Sequence, residues 1–117
     1  MQTTVLIVDD HAGFRASARA LLECEGFRVV AEAADGAEAL AAVADEVPDL
    51  VLLDVQLPDT DGFALAARLT SNGSRINVVL VSSRDYSDSA HLVERSGARG
   101  FVPKAELSGE RLTALLR

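Results

Sequence analysis

Asp54 ends an apolar run, Leu50-Val51-Leu52-Leu53, and is followed by Val-Gln-Leu-Pro-Asp-Thr-Asp-Gly over residues 55–62. A continuous apolar run of this length reads as a strand buried on both faces, and the Pro and Gly beyond it mark a loop. A second run, Val5-Leu6-Ile7-Val8, ends in Asp9-Asp10, and a third, Val78-Val79-Leu80-Val81, ends in Ser82-Ser83. Phe101-Val102 leads through Pro103 to Lys104. Three carboxylates, a hydroxyl and an ammonium are thus offered at strand ends. Clustered carboxylates make one another harder to ionise, and a hard divalent cation such as Mg²⁺ relieves that conflict through oxygen ligands. A carboxylate is also a nucleophile that forms an aspartyl phosphate. Phosphoryl transfer asks mostly for positioning and charge stabilisation, which Mg²⁺, Lys104 and Ser82 would supply. One Asp after one strand is ordinarily a turn former or helix N-cap. Independent caps do not require the lone Lys and the hydroxyl at neighbouring strand ends.

These residues need elements that bring them to one edge. Strands are expected at 4–8, 28–33, 50–54, 77–82 and 100–102. The first helix is expected at 12–25, with Phe14, Ala18, Leu21 and Leu22 on one face and Gly26 as its stop. The second starts near Asp35-Gly36 and carries Leu40 and Val43, and the third starts near Gly62 with Phe63, Ala66 and Leu69 inward. The fourth, 87–96, has only Leu92 and Val93 as apolar anchors. The fifth follows Ser108, an N-cap, with Leu112, Leu115 and Leu116 inward. Segment 71–74 is a loop, and segment 28–33 alternates as an edge strand does. Repeated βα units imply a parallel sheet covered by helices on both faces, an α/β fold with the carboxyl ends of all strands at one edge. That edge is where open α/β sheets place ligands.

Composition narrows the functions. A chain of 117 residues, 49% of them hydrophobic, makes one globular domain spanning 1–117. No apolar stretch approaches the roughly 20 residues of a membrane span, and the first residues carry no charged leader, so a cytoplasmic location is expected. With 11 Lys and Arg against 18 Asp and Glu, the net charge of -7 disfavours a nonspecific nucleic-acid surface. The single Cys24 suits a reducing compartment and lies between Glu23 and Glu25, which argues for a quiet thiol. Two His and one Cys far apart give no zinc signature.

The segments VLIVDDH (5–11), LVLLDVQLPDTDGF (50–63), VVLVSS (78–83) and GARGFVPK (97–104) resemble, in order and spacing, the receiver domain of two-component response regulators. The resemblance covers essentially the whole chain. It implies a flavodoxin-like (βα)5 three-layer sandwich with strand order 2-1-3-4-5, an order borrowed from the fold's known example. It implies that Asp54 is the phosphoacceptor, that Asp9, Asp10, Asp54 and the backbone carbonyl of Gln56 hold Mg²⁺, and that Lys104 pairs with the phosphoryl group. Ser82 and Phe101 take the positions of the switch hydroxyl and switch aromatic. The phosphodonor would be a histidine kinase, and the chain would be a switch rather than an enzyme, catalysing only its own phosphorylation and dephosphorylation. Phosphorylation could drive a homodimer. Segments DDH, GFRVV and ADGAEAL resemble receivers usually joined to a helix-turn-helix DNA-binding domain, which this chain does not show, so no direct DNA binding is expected.

The chain also departs from the family pattern. Ala105 follows Lys104 where Pro is usual; without Pro a cis bond costs about 2.5–4 kcal/mol, so a trans bond is expected. Ser82 replaces the commoner Thr, and Phe101 the frequent Tyr. Three other families fit the residues less well. A haloacid-dehalogenase phosphatase needs Asp-x-Asp after its first strand, and here Asp9-Asp10 are adjacent and Gln56 follows Asp54 by two. A flavodoxin needs a phosphate-cradling loop where Asp9-Asp10-His11 would repel the phosphate. A receiver-like module that never takes phosphate would not need Asp54, Lys104 and the acidic pair intact. His11 is expected as a solvent-exposed helix-entry residue, His91 as a surface residue, and Arg84 as either a solvated loop residue or an overhang of the site.

Overall fold

Branched aliphatic runs make the three inner strands, β1 (Thr4–Val8), β3 (Leu50–Asp54) and β4 (Asn77–Ser82), and β2 (Arg28–Ala33) and the shorter β5 (Gly100–Pro103) lie at the edges. This computed structural model describes residues 2–71, 74–84 and 89–117. All pairings are parallel, and the order is β2-β1-β3-β4-β5, as the resemblance implies. The alternating β2 is an edge strand as expected; a register shift at Val5/Leu6 marks its pairing to β1. Pro103 is tolerated because β5 is the other edge.

The helices are α1 (Ala12–Cys24), α2 (Gly36–Asp45), α3 (Gly62–Thr70), α4 (Ala90–Arg95) and α5 (Gly109–Leu116). The period-two alternation of the strands splits the interior into two cores. Val5, Ile7, Leu50, Leu52, Val79, Val81 and Val102 pack with Ala18 and Leu22 of α1 and Leu112 of α5. Leu6, Val8, Val51, Leu53, Val78 and Leu80 pack with Ala39 of α2 and Leu65, Ala66 and Leu69 of α3. Val93 of α4 and Phe101 of β5 lean on this second core. The three layers are therefore α1 and α5, the sheet, and α2, α3 and α4.

Three helices begin on side-chain caps. Asp35 accepts from the Glu38 N–H, Asp61 from Ala64 and Ser108 from Arg111. On α2 the inward face uses Ala39 as its fully buried residue, with the expected Leu40 and Val43 packed at its margin. On α3 Phe63 is likewise at the margin, and Leu65 joins Ala66 and Leu69 inside. Several boundaries differ from expectation: α1 stops at Cys24, one residue before Glu25, and α4 at Arg95, one before Ser96. Strand β5 runs one residue further, to Pro103, and Lys104 opens a single 3-10 turn, Lys104–Glu106. Helix α4 begins at Ala90; residues Ser87 and Asp88 of its expected start lie outside the described residues, as do Asn72 and Gly73 of the 71–74 loop.

Candidate functional site

Register brings the strand ends together. Val8 pairs with Leu53, Asp54 with Val81, and Ser82 with Pro103, so Asp9, Asp54, Ser82 and Lys104 all stand at the carboxyl edge. Asp9 and Asp54 are buried, and Asp10 is exposed at the rim. The Lys104 ammonium lies 2.6 Å from Asp9 Oδ2 and 3.3 Å from Asp54 Oδ2. The same ammonium stands over the Phe14 ring of α1, 4.5 Å from its centre. Asp54 Oδ1 accepts from the Gln56 backbone N–H at 3.1 Å. Arg15 donates to the backbone carbonyl of Asp9 at 2.6 Å and ties α1 to Glu32 of β2.

These contacts set the charges. Burial is the first reason the Asp54 pKa is raised above 3.8, and the neighbouring Asp9 carboxylate adds to it against the Gln56 N–H and Lys104. Burial also works against the Lys104 ammonium, but the carboxylates of Asp9 and Asp54 outweigh it, and its pKa is raised above 10.5. Lys104 is therefore charged at neutral pH.

Ligand atoms of Asp9, Asp10, His11 and Asp54 all lie within 4.8 Å of one another. Asp9 Oδ2 is buried and faces the Lys104 ammonium, with which it forms an ion pair. Carboxylate oxygens, those of Asp9 and Asp54 buried and those of Asp10 exposed, form the hard donor set that suits Mg²⁺. His11 is exposed at the entry of α1, as expected, yet its Nδ1 lies 3.1 Å from both Asp9 Oδ1 and Asp10 Oδ1. The imidazole thus flanks the acidic pair rather than standing clear of it.

The Ser82 side chain is buried, and its Oγ accepts from the Arg84 N–H at 3.0 Å. Arg84 is exposed, and so is His91 on α4. Phe101, two residues before Pro103, is half-buried against the core on the α4 side. The Lys104–Ala105 bond is trans, as expected without Pro. Cys24 is exposed at the end of α1, away from the site.

The segment after Asp54 is folded tightly. Gly62 N–H donates to the Val55 carbonyl at 2.6 Å, and Gln56 bridges Asp61. A Cβ at Gly62 would press on the Asp54 carbonyl oxygen and come within 2.7 Å of Val55 Cα, so this close approach requires glycine. At the tip of the loop Asp59 accepts from two N–H groups of α2, Gly36 at 2.8 Å and Ala37 at 3.0 Å.

Sequence reasoning missed three contributors: Phe14, Arg15 and Asp59. Phe14 is expected on the inward face of α1, and the structure adds its place against the Lys104 ammonium. Its signal was its position one turn beyond the acidic pair. Arg15 and Asp59 carried no pattern that separated them from ordinary surface charges.

The family model described as the response regulator receiver domain matches residues 5–117. The chain belongs to the response regulator receiver domain family. This receiver domain is 39% identical over 114 residues to BvgA of Bordetella pertussis, described as a positive transcription regulator of virulence factors, spanning 97% of this chain and 54% of that protein. It is 35% identical over 120 residues to the response regulator MprA of Mycobacterium sp. strain KMS, spanning 100% of this chain and 52% of that protein. It therefore spans about half the length of these curated relatives. Among solved structures it is similar to the signal receiver domain of the response regulator NarL from Mycobacterium tuberculosis, with a TM-score of 0.85 and 33% identity over 98% of this chain and 97% of that one. It is similar also to a LuxR-family two-component response regulator from Aurantimonas sp. SI85-9A1, with a TM-score of 0.87 and 29% identity over 99% of this chain and 86% of that one. Two-component signalling is thus the setting of the fold and of its acidic pocket. Among the described residues no helix is long and apolar enough to cross a membrane.

Proposed function

We propose that residues 1–117 form one receiver that takes a phosphoryl group from a histidine kinase onto Asp54 and relays the event as a change of conformation. The observation that carries this reading is the convergence of Asp54, Asp9 and Lys104 within ion-pair distance at one sheet edge. An Asp54 carboxylate oxygen attacks phosphorus, the bond from phosphorus to the donor imidazole nitrogen breaks, and its electron pair leaves with the imidazole, which takes a proton. Lys104 needs only to swing its ammonium from Asp9 toward the phosphoryl oxygens, since one Nζ already reaches both carboxylates. The Gln56 N–H holds one Asp54 oxygen and fixes the rotation of the carboxylate. Asp9, Asp10, Asp54 and the Gln56 carbonyl would hold Mg²⁺. Bound there, Mg²⁺ supplies charge neutralisation for the transferring phosphoryl group.

Ser82 and Phe101 form the switch in this reading. The Ser82 hydroxyl turns from its Arg84 N–H partner toward the phosphoryl group, and Phe101 turns inward on the same face of the sheet. Both states pre-exist, because a ligand shifts an equilibrium only by its differential affinity. The domain is a signalling element rather than an enzyme acting on other molecules. It works in the cytoplasm, and its net charge of -7 argues against direct binding to DNA. Homodimerisation on phosphorylation is a further part of the reading, checked by size measurement with and without beryllofluoride. The direct test of the whole is labelling by acetyl phosphate with Mg²⁺ in wild type and Asp54→Asn.

A further inference from the structure

We propose that Asp59 is a positioning residue that clamps the loop after Asp54 onto α2 and thereby sets the geometry of the metal and phosphoryl site, an inference that rests on the reading of Asp54 as phosphoacceptor. The loop from Val55 to Asp61 carries Gln56, whose N–H orients Asp54 and whose carbonyl belongs to the proposed metal set. Its base is closed locally, by Gly62 N–H on the Val55 carbonyl and by the Gln56–Asp61 bridge. Its tip is held across the fold. Asp59 Oδ1 and Oδ2 accept from Gly36 and Ala37, residues 23 and 22 positions earlier in the chain.

The first turn of a helix has N–H groups without intrahelical partners and carries partial positive charge. Here they are divided between two acidic residues. Asp35 takes the Glu38 N–H, and its backbone carbonyl takes Ala39. Glu38 reaches back to the Ala34 N–H, much as in a capping box. Helix α2 is thus capped locally without Asp59. What Asp59 adds is the link to the loop. The Gly36 N–H is the main reason the Asp59 pKa is lowered, so its carboxylate is ionised when the site works. The approach is close: a Cβ at Gly36 would come 2.7 Å from Thr60 Cγ2 and 3.2 Å from Asp59 Oδ1. Ala39 seats α2 in the same core as Leu65 of α3. The clamp therefore fastens the loop tip to a helix already fixed on the sheet.

Asp35 and Asp59 accept N–H groups of the same helix end, and Asp59 does so from the loop itself. This separates positioning from stability. Mg²⁺ affinity by calorimetry and the rate of labelling by acetyl phosphate are measured for wild type, Asp59→Ala, Asp59→Asn and Asp35→Ala, each below its own melting temperature. Asp59→Ala is expected to lose about tenfold in both readouts, the scale of losing a residue that orients metal ligands. Asp59→Asn, which keeps one acceptor oxygen, recovers part of the loss, and it decides the matter if the alanine variant does not fold. Asp35→Ala is expected to lower the melting temperature while leaving Mg²⁺ affinity unchanged. Wild-type behaviour in both Asp59 variants, or an equal loss of Mg²⁺ affinity in Asp35→Ala, overturns the clamp. Absence of label on wild type, or undiminished label on Asp54→Asn, instead overturns the phosphoacceptor reading, and the Mg²⁺ comparison then still decides the clamp.

Discussion

Lys104 is bound more closely to Asp9 than to the proposed phosphoacceptor: its ammonium is 2.6 Å from Asp9 and 3.3 Å from Asp54. Asp9 is wholly buried, so the ammonium offsets a charge that water does not reach. Removing one partner of such a pair leaves the other unpaired in the interior. Lys104→Met is expected to lower the free energy of unfolding by roughly 3 kcal/mol at neutral pH without Mg²⁺. Urea denaturation checks this, and added Mg²⁺ should recover part of the loss. An unchanged midpoint would show that the pair is energetically idle.

Asp54 carries the opposite sign. Its folded pKa is raised, first by burial and then by Asp9. Its contribution to stability is therefore fully present below the unfolded value near 3.8 and is lost as pH rises through the raised folded value. Asp54→Asn removes that loss. The variant is expected to melt above wild type at pH 7 in the absence of Mg²⁺, and the gap should shrink toward pH 4 and on adding Mg²⁺. A variant less stable than wild type at pH 7 would contradict the assignment of the cost to burial.

Lys104 also bears on what the amino-acid sequence discloses. The runs at 50–53 and 78–81 announced inner strands because both faces are apolar, and their ends located Asp54 and Ser82. Strand order came through family resemblance, since βα alternation alone permits other orders. The 3-10 turn at Lys104–Glu106 left no periodic trace, being shorter than any pattern that could reveal it. Phe14 looked like one more inward helix residue, and its place against the ammonium depends on how α1 and β5 meet across the sheet edge. Asp59 lies between Pro58 and Thr60, where an Asp usually makes a local turn; its partners on α2 are known only once the helix and loop are side by side.

Gly62 offers a steric test of the loop. Alanine there would press its Cβ on the Asp54 carbonyl and on Val55 Cα, both backbone atoms that cannot rotate away. Gly62→Ala is expected to cost about 3 kcal/mol and to slow labelling of Asp54, because the shift falls on the residue that bears the phosphoryl group. Thermal melting and the acetyl phosphate assay read the two effects, and full activity in a stable variant would refute the close approach.

Ser82→Ala separates chemistry from signalling. The bond lost, from the Arg84 N–H to the Ser82 hydroxyl, is a single neutral one beside an exposed residue, so the stability change should be about 1 kcal/mol. Phosphorylation of Asp54 should persist. The NMR shifts that beryllofluoride produces around α4 and Phe101 should be much reduced. Shifts identical to wild type would exclude Ser82 from the coupling.

The central claim is that Asp54 alone accepts the phosphoryl group. Intact-mass spectrometry after incubation with acetyl phosphate and Mg²⁺, followed by peptide mapping of the acid-stable reduced product, tests it most directly. One phosphoryl group per wild-type chain, located at Asp54 and absent from Asp54→Asn, is the predicted result. Undiminished incorporation into Asp54→Asn, or a wild-type label mapped to another residue, would contradict it.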